Sequence, residues 1–375
     1  MLQNNYPEAY ANRGDVNVVL ENYELALKDY SQSIKLNANL DYVYGLFLHT
    51  KTYINEWSGL DTNIKKIREG IKNNKNIVHP FVLLSLVDDP ELHLKNAKQF
   101  SKNTSTLHFL KKKENNVSNK IKIGYFSANF NKHAVSRLIY KMLCLHNKNK
   151  FKIYCYSYGF TKEDDLHNSL KKKVDVYRDI RTISDHEVAL LARKDEIDIA
   201  IDLQGYTDKN RINIFANKVA PIQINYLGYP GSMGAEYIDY IIADKNLIPE
   251  NNYKFYSEKI IFMPHHYQVQ NDELKVSKTV PTKKDLGLPK DHFVFCAINN
   301  TYKISPDIFD IWMKLLKKVE KSVLWLLDSS PASKKNLLNE AKARGIKKNR
   351  LVFAKREINE KYLAQLKYAD IYLDT

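Results

Sequence analysis

Residues Ile121 to Ala134 read I-K-I-G-Y-F-S-A-N-F-N-K-H-A. The β-branched and aromatic run Ile121 to Ser127 predicts a strand, a polar loop follows it, and an apolar pattern of helical period runs from Val135 to His146. A strand that turns into a helix is the building unit of a parallel sheet covered by helices.

Working outward, the same unit recurs downstream. Strands are predicted at Phe151 to Ser157, Val174 to Arg178, Ile197 to Leu203, Gln223 to Leu227, Tyr240 to Ala243 and Lys259 to Met263. Helical patterns fall at Lys162 to Lys173, Ser184 to Lys194 and Lys209 to Ala216. Gln268 to Leu288 breaks the rhythm. A second alternation follows, with strands at Phe293 to Ile298, Val323 to Leu327, Leu351 to Phe353 and Ile371 to Leu373, and helices at Pro306 to Val319, Ser333 to Arg344 and Ile358 to Tyr368. Two α/β halves in series predict a cleft, because open α/β sheets bind ligands beyond the C-terminal ends of their strands.

Upstream the pattern is helical. With Pro7 as position 1 of a 34-residue frame, Tyr10, Gly14, Ala26 and Tyr30 fall where tetratricopeptide repeats place aromatic and small residues. Arg13, Asn17 and Ala38 depart from that pattern, and residues 41–74 read as a degenerate second unit with Leu60 at a small-residue position. Residues 70–116 read as irregular helix broken at His79-Pro80 and Asp89-Pro90, and Lys111 to Asn119 as a polar linker. The predicted division is 1–74 repeat-like, 75–119 helical linker, 120–284 first α/β half and 285–375 second half. One and a half repeats look like the end of a longer array, since a repeat needs neighbours to bury its face.

Composition narrows the class. The 375 residues are 44% hydrophobic and 27% charged, which excludes collagen-like and disordered chains. The net charge of +15 is spread in small runs, such as Lys171 to Lys173, with acids or asparagines nearby. It reads as solvated helix faces rather than a nucleic-acid footprint. Cys144, Cys155 and Cys296 are too few for a disulfide framework, the N-terminus lacks a signal-peptide core, and no apolar run could span a membrane, so a cytoplasmic protein is expected.

The candidate chemistry lies after strands. His133 precedes a helix start, where unpaired N–H groups suit an anion; it is a candidate acid/base or phosphate donor, or simply a capping or surface histidine. Gln204-Gly205-Tyr206-Thr207-Asp208 offers a tight turn, with Thr207 or Asp208 able to cap the next helix. Leu227-Gly228-Tyr229-Pro230-Gly231-Ser232-Met233-Gly234 can bring backbone N–H groups to a ligand, yet is neither a Walker A nor a dinucleotide motif. Lys303 lies between a strand end and the Ser305-Pro306 helix start, as a diphosphate-neutralising cation or a surface lysine. His265-His266 has no partners at ligand spacing, so no metal is expected.

These residues resemble the protein O-linked N-acetylglucosamine transferases and SPINDLY-like proteins. The matching strings, in family order, are the opening one and F-K-I-Y-C-Y-S, I-D-I-A-I-D-L-Q-G-Y-T, F-A-N-K-V-A-P-I-Q-I-N-Y-L-G-Y-P-G-S-M-G, Y-S-E-K-I-I-F-M-P and N-N-T-Y-K-I-S-P. The resemblance implies an α/β fold of GT-B type with two Rossmann-like halves, preceded by a tetratricopeptide remnant. It implies transfer of a sugar, N-acetylglucosamine first, from a UDP-sugar to protein Ser/Thr hydroxyls, with inversion, with no cofactor or metal, and with acceptors bound through the repeats. It assigns His133 to the active site, Leu227, Gly228 and Pro230 to the sugar pocket, Asn300 to donor contact and Lys303 to the leaving diphosphate. Ala134 and Tyr206 depart from residues common in the family, namely Pro and, in many bacterial relatives, His. The chain ends where the family continues into a nucleotide-binding loop, so the second half is expected to be incomplete and UDP to bind weakly. The alternative is a catalytically inactive fragment acting as a tetratricopeptide binding module.

Overall fold

A computed structural model describes residues 5–102, 120–159 and 164–375. The expected linker at Lys111 to Asn119, and the start of the helix expected from Lys162, lie outside the described residues.

Among the described residues six helices come first: α1 (Pro7–Val19), α2 (Tyr23–Leu36), α3 (Val43–Tyr53), α4 (Leu60–Lys72), α5 (Pro80–Leu86) and α6 (Pro90–Ser101). Then come β1 (Ile121–Ser127), α7 (Ala134–Leu145), β2 (Phe151–Ser157), α8 (Asp165–Lys173), β3 (Val176–Asp179), α9 (Asp185–Lys194), β4 (Ile199–Asp202), α10 (Asn213–Ala216), β5 (Ile222–Asn225), β6 (Tyr240–Ala243) and β7 (Lys259–Phe262). The last stretch is β8 (Phe293–Ala297), α11 (Pro306–Lys318), β9 (Ser322–Leu327), α12 (Pro331–Ala343), β10 (Leu351–Ala354), α13 (Asn359–Gln365) and β11 (Ile371–Tyr372).

Each predicted strand is present, and among the described residues every strand pairing is parallel. One sheet has the order β3-β2-β1-β4-β5-β6-β7, the other β10-β9-β8-β11. With helices between the strands, this is the α/β architecture of the GT-B type. Compactness groups the chain out of sequence order: residues 88–273 form one unit, and residues 1–87 with 274–375 form the other. The boundary at Glu273 falls inside the stretch where the strand–helix rhythm breaks.

In the seven-stranded unit β1 is buried over its last five residues, and Ile123, Tyr125, Ile139, Leu143, Ile153 and Cys155 form one core with Ile201, Leu203 and Ile224. The helix expected at Lys209 to Ala216 is shorter than its pattern. Lys209 sits at φ +57°, which no helix continues, and the chain is held instead by Arg211, whose guanidinium donates to the carbonyls of Ile180 and Ile183 at 2.7 Å each and pairs with Asp185. Neither Thr207 nor Asp208 caps α10; the Thr207 hydroxyl donates to the Gln204 carbonyl at 2.7 Å.

In the other unit, α1 and α2 form a hairpin whose closeness depends on Gly14. A Cβ there would stand 2.6 Å from the buried Tyr30 ring, so the small residue is required by packing although glycine costs about 1 kcal/mol in a helix. The departures Arg13 and Asn17 share one partner: both donate to the buried carboxylate of Asp29, at 3.0 Å from Arg13 Nε and 2.9 Å from Asn17. The four-stranded sheet has a core of Phe295, Ala297, Phe309, Trp312, Met313, Leu324 and Leu326, and Trp57 from the helical region packs against it.

Candidate functional site

Both sheets present loops at the C-terminal ends of their strands, and the candidate residues sit on them. In the seven-stranded unit His133 caps α7: its Nδ1 accepts the Val135 N–H at 3.2 Å. The cap and the candidate role are therefore compatible. An acceptor at Nδ1 puts the proton of the neutral ring on Nε2. His133 is exposed as a residue, yet partial burial of its ring, ahead of the charges of Arg137 and Lys209, holds its pKa below the usual imidazole value. The ring is thus neutral near pH 7 and offers a donor, not a base, at its free nitrogen.

The loop that carries His133 is tied down by Gln204, which is buried at the end of β4. Its Oε1 accepts from the Ser127 hydroxyl at 3.3 Å, the Ala128 N–H at 3.4 Å and the Asn129 amide at 3.1 Å, while its Nε2 donates to the Asp208 carbonyl at 2.6 Å. Asp202, just before it, is buried. Desolvation pushes its carboxyl up to about 6 against the pull of the Gln204 and Gly205 N–H groups.

After β5 the glycine-rich loop is over-determined. Leu227 is held at φ +72°, a left-handed conformation that costs a non-glycine residue on the order of 1 kcal/mol. Gly228 lies so close to β4 that a Cβ would be 2.1 Å from the Leu203 carbonyl oxygen. Asn225 donates to the Tyr229 carbonyl at 3.0 Å, and Tyr256 donates to the Pro230 carbonyl at 3.1 Å. Buried Glu258 accepts from the Ser232 hydroxyl at 2.7 Å and the Met233 N–H at 2.5 Å; burial raises its pKa against those bonds. Tyr206 is fully buried and donates to the Met233 carbonyl at 2.7 Å, so it serves as a strut under this loop. Helix α6 adds another, with the Ser101 hydroxyl donating to the Gly234 carbonyl at 2.9 Å.

In the four-stranded unit Asn300 opens a single tight turn, Thr301–Lys303, after β8. The Lys303 N–H donates to the Asn300 carbonyl at 3.1 Å. Ser305 then caps α11, its hydroxyl accepting the Ile308 N–H at 3.3 Å, with Pro306 at the first helical position. Lys303 is exposed and makes no ion pair among the described residues. A free cation beside a helix N-terminus is suited to an anionic ligand. Thus His133, Leu227, Gly228 and Pro230 share one sheet edge, and Asn300 and Lys303 share the other.

The family profile described as "Glycosyl transferase family 41" matches residues 91–276 and 268–375. The chain belongs to this family. Among its relatives is a protein of Arabidopsis thaliana named as a probable UDP-N-acetylglucosamine–peptide N-acetylglucosaminyltransferase, SEC, 29% identical over 88% of this chain and 36% of its own. The Caenorhabditis elegans UDP-N-acetylglucosamine–peptide N-acetylglucosaminyltransferase is 23% identical over 68% of this chain and 32% of its own. A SPINDLY protein of Oryza sativa is 32% identical over 54% and 22%. The chain therefore spans about a third or less of the length of these relatives. A solved O-GlcNAc transferase mutant of Thermobaculum terrenum shares the fold, with a TM-score of 0.79 and 21% identity over 99% of this chain and 72% of that one.

Gln204, Glu258, Asn225 and the α6 contact had no assigned part in the sequence reading. Of these, Gln204 stood in a loop segment that the sequence singles out, the turn after the strand ending at Leu203.

Proposed function

We propose that this chain contributes the donor- and acceptor-handling residues of a glycosyltransferase that moves N-acetylglucosamine from its UDP conjugate to Ser or Thr hydroxyls of proteins. The observation that carries the reading is Lys303, an exposed, unpaired cation between a strand end and a capped helix N-terminus, within a family 41 chain. Lys303 and the α11 N-terminus would stabilise the departing diphosphate, Asn300 would contact the donor, and the Leu227–Pro230 loop would line the sugar pocket. His133 would donate from Nε2 to a donor oxygen. Direct attack by one acceptor hydroxyl inverts the anomeric carbon. No metal is called for, because Lys303 and the helix supply the positive potential.

The names of the Arabidopsis thaliana and Caenorhabditis elegans relatives support the donor and the peptide acceptor. Acceptors would be engaged by the helical repeats, where a cavity of about 660 Å³ is lined by Asn39, Asp41, Tyr44, Lys66, Glu69 and Asn73 among others. We place the protein in the cytoplasm, in keeping with its three free cysteines; among the described residues no helix is long and apolar enough to cross a membrane.

The test is transfer by the full-length protein to acceptor proteins from UDP-N-acetylglucosamine, UDP-glucose and GDP-fucose. We expect the first to be used best, and Lys303→Ala to lower turnover by about 10² to 10³-fold while leaving the melting temperature unchanged. Wild-type turnover in that variant, or no sugar transfer from any donor, would overturn the proposal.

A further inference from the structure

The turn that carries Lys303 is not held by its own sheet alone. Thr301, its first residue, is buried. The Thr301 hydroxyl contacts the Tyr53 carbonyl at 2.9 Å and the Ser329 hydroxyl at 3.1 Å. The Thr301 carbonyl accepts from Asn55 Nδ2 at 2.9 Å. Asn55 is 1% exposed, and its Oδ1 accepts from the Ser333 hydroxyl at 2.7 Å, so one side chain joins the turn to α12. Asn336 donates to the Ile54 carbonyl at 2.8 Å. Tyr302 packs against His49 and Tyr53, each at 5.1 Å between ring centroids, and Trp57 meets Phe309 of α11 at 5.4 Å.

Thus the first two residues of the turn, and the helix after it, are gripped by Tyr53 at the end of α3 and by residues 54–57 of the loop that leads to α4. Asn55 adopts φ +51°, a conformation asparagine tolerates better than most residues, and this lets one amide face both partners. We infer that Asn55 is a positioning residue for Lys303, and that the α3–α4 loop of the helical region is a structural part of the donor half-site. This rests on the role proposed for Lys303. An ordered cation costs no reorganisation as charge develops on the leaving group, whereas a loosened one loses much of its effect.

The experiment uses the full-length protein with Asn55→Gly, Lys303→Ala and the double variant. Glycine accepts φ +51° and removes both side-chain bonds, so the loop backbone is preserved. Thr301→Val, which keeps the shape and deletes the hydroxyl, leaves the Asn55 bond in place and cuts a second tie to the same region, the bond to the Tyr53 carbonyl. Two readouts are taken: hydrogen exchange of the 300–304 amides relative to β8, and kcat and KM for UDP-N-acetylglucosamine with a fixed acceptor.

The expected result is about tenfold faster exchange in the turn with β8 unchanged, and about a tenfold fall in kcat with KM moved less than about twofold, in Asn55→Gly and in Thr301→Val. In the Lys303→Ala background Asn55→Gly should have no further effect on kcat, because a residue acting only through Lys303 has nothing left to position. Unchanged exchange in the turn overturns the inference. So does a kcat loss that persists undiminished in the Lys303→Ala background, which would mark Asn55 as merely structural. If Lys303→Ala itself leaves kcat unchanged, it is the reading of Lys303 that falls, and faster exchange still shows the loop holding the turn.

Discussion

The glycine-rich loop of the seven-stranded unit and the Lys303 turn of the four-stranded unit solve the same problem differently. Each must hold polar groups in place beyond a strand end. The first does it mainly by sterics and by partners within 26 residues in the chain, Gly228 packed on the Leu203 carbonyl, Asn225 on Tyr229, Glu258 on Ser232 and Met233, with Ser101 of α6 as one distant strut. The second has no glycine and few local bonds, and is held by Asn55 and Tyr53, some 246 and 248 residues away in the chain. Close-packed loops fail when a side chain grows, whereas remotely braced ones fail when a distant bond is cut.

The largest effect should come from breaking the steric device. Gly228→Ala places a methyl 2.1 Å from a backbone oxygen that cannot move without distorting β4. We expect a loss of about 3 kcal/mol or more in denaturant unfolding, together with loss of transfer. A fully stable Gly228→Ala protein would show that the loop has slack and would dissolve the contrast with the Lys303 turn.

What could be read from the sequence follows the same division. The strands and both half-sheets were legible because buried parallel strands are continuous apolar runs, and α8, α9, α11 and α12 begin at Asp or Ser caps. Candidate residues were legible because they follow strand ends. The α1–α2 hairpin was legible from Gly14 and Tyr30, whose spacing has a packing cause. The truncation of the helix at Lys209 was not, because it is set by the remote anchoring of Arg211 on Ile180 and Ile183. Nor was Asn55 legible, since a loop asparagine carries no mark of a partner in another fold element.

The two units also respond to acid with opposite sign at their buried groups. His49 lies between Tyr53 and Tyr302 with its Nε2 unpartnered among the described residues, and burial, with His79 adding a smaller push, lowers its pKa to about 4 from 6.5. A depressed histidine pKa means stability present above pH 6.5 and lost as the pH falls towards 4. The loss is about 3 kcal/mol at most. Asp202, raised to about 6 from 3.8, does the reverse: its contribution is full below pH 3.8 and is lost as the pH rises through 6. Hydrogen exchange at pH 7 and pH 5 should show protection around α3 falling on acidification, with His49→Phe flattening the change and Asp202→Asn flattening the opposite trend near β4. Acid sensitivity that survives His49→Phe would place its source elsewhere in that unit.

The smallest effect separates a cap from chemistry. His133 both caps α7 through Nδ1 and leaves an Nε2–H free, and only the second function needs an imidazole. His133→Ala should cost about 1 kcal/mol, the usual value of an N-cap, whereas His133→Ser keeps an acceptor for the Val135 N–H and should recover most of that loss. If the free N–H serves the donor, both variants lose transfer to a similar degree despite their different stabilities. If His133 only caps, the serine variant recovers activity along with stability. Because its folded pKa lies below the usual value, the wild-type cap holds above pH 6.5 and weakens as the ring protonates at lower pH, while the serine cap does not titrate. Denaturant midpoints of the two proteins should therefore converge at pH 7.5 and diverge towards pH 5, and equal midpoints at both values would show that the ring stays out of the cap in solution.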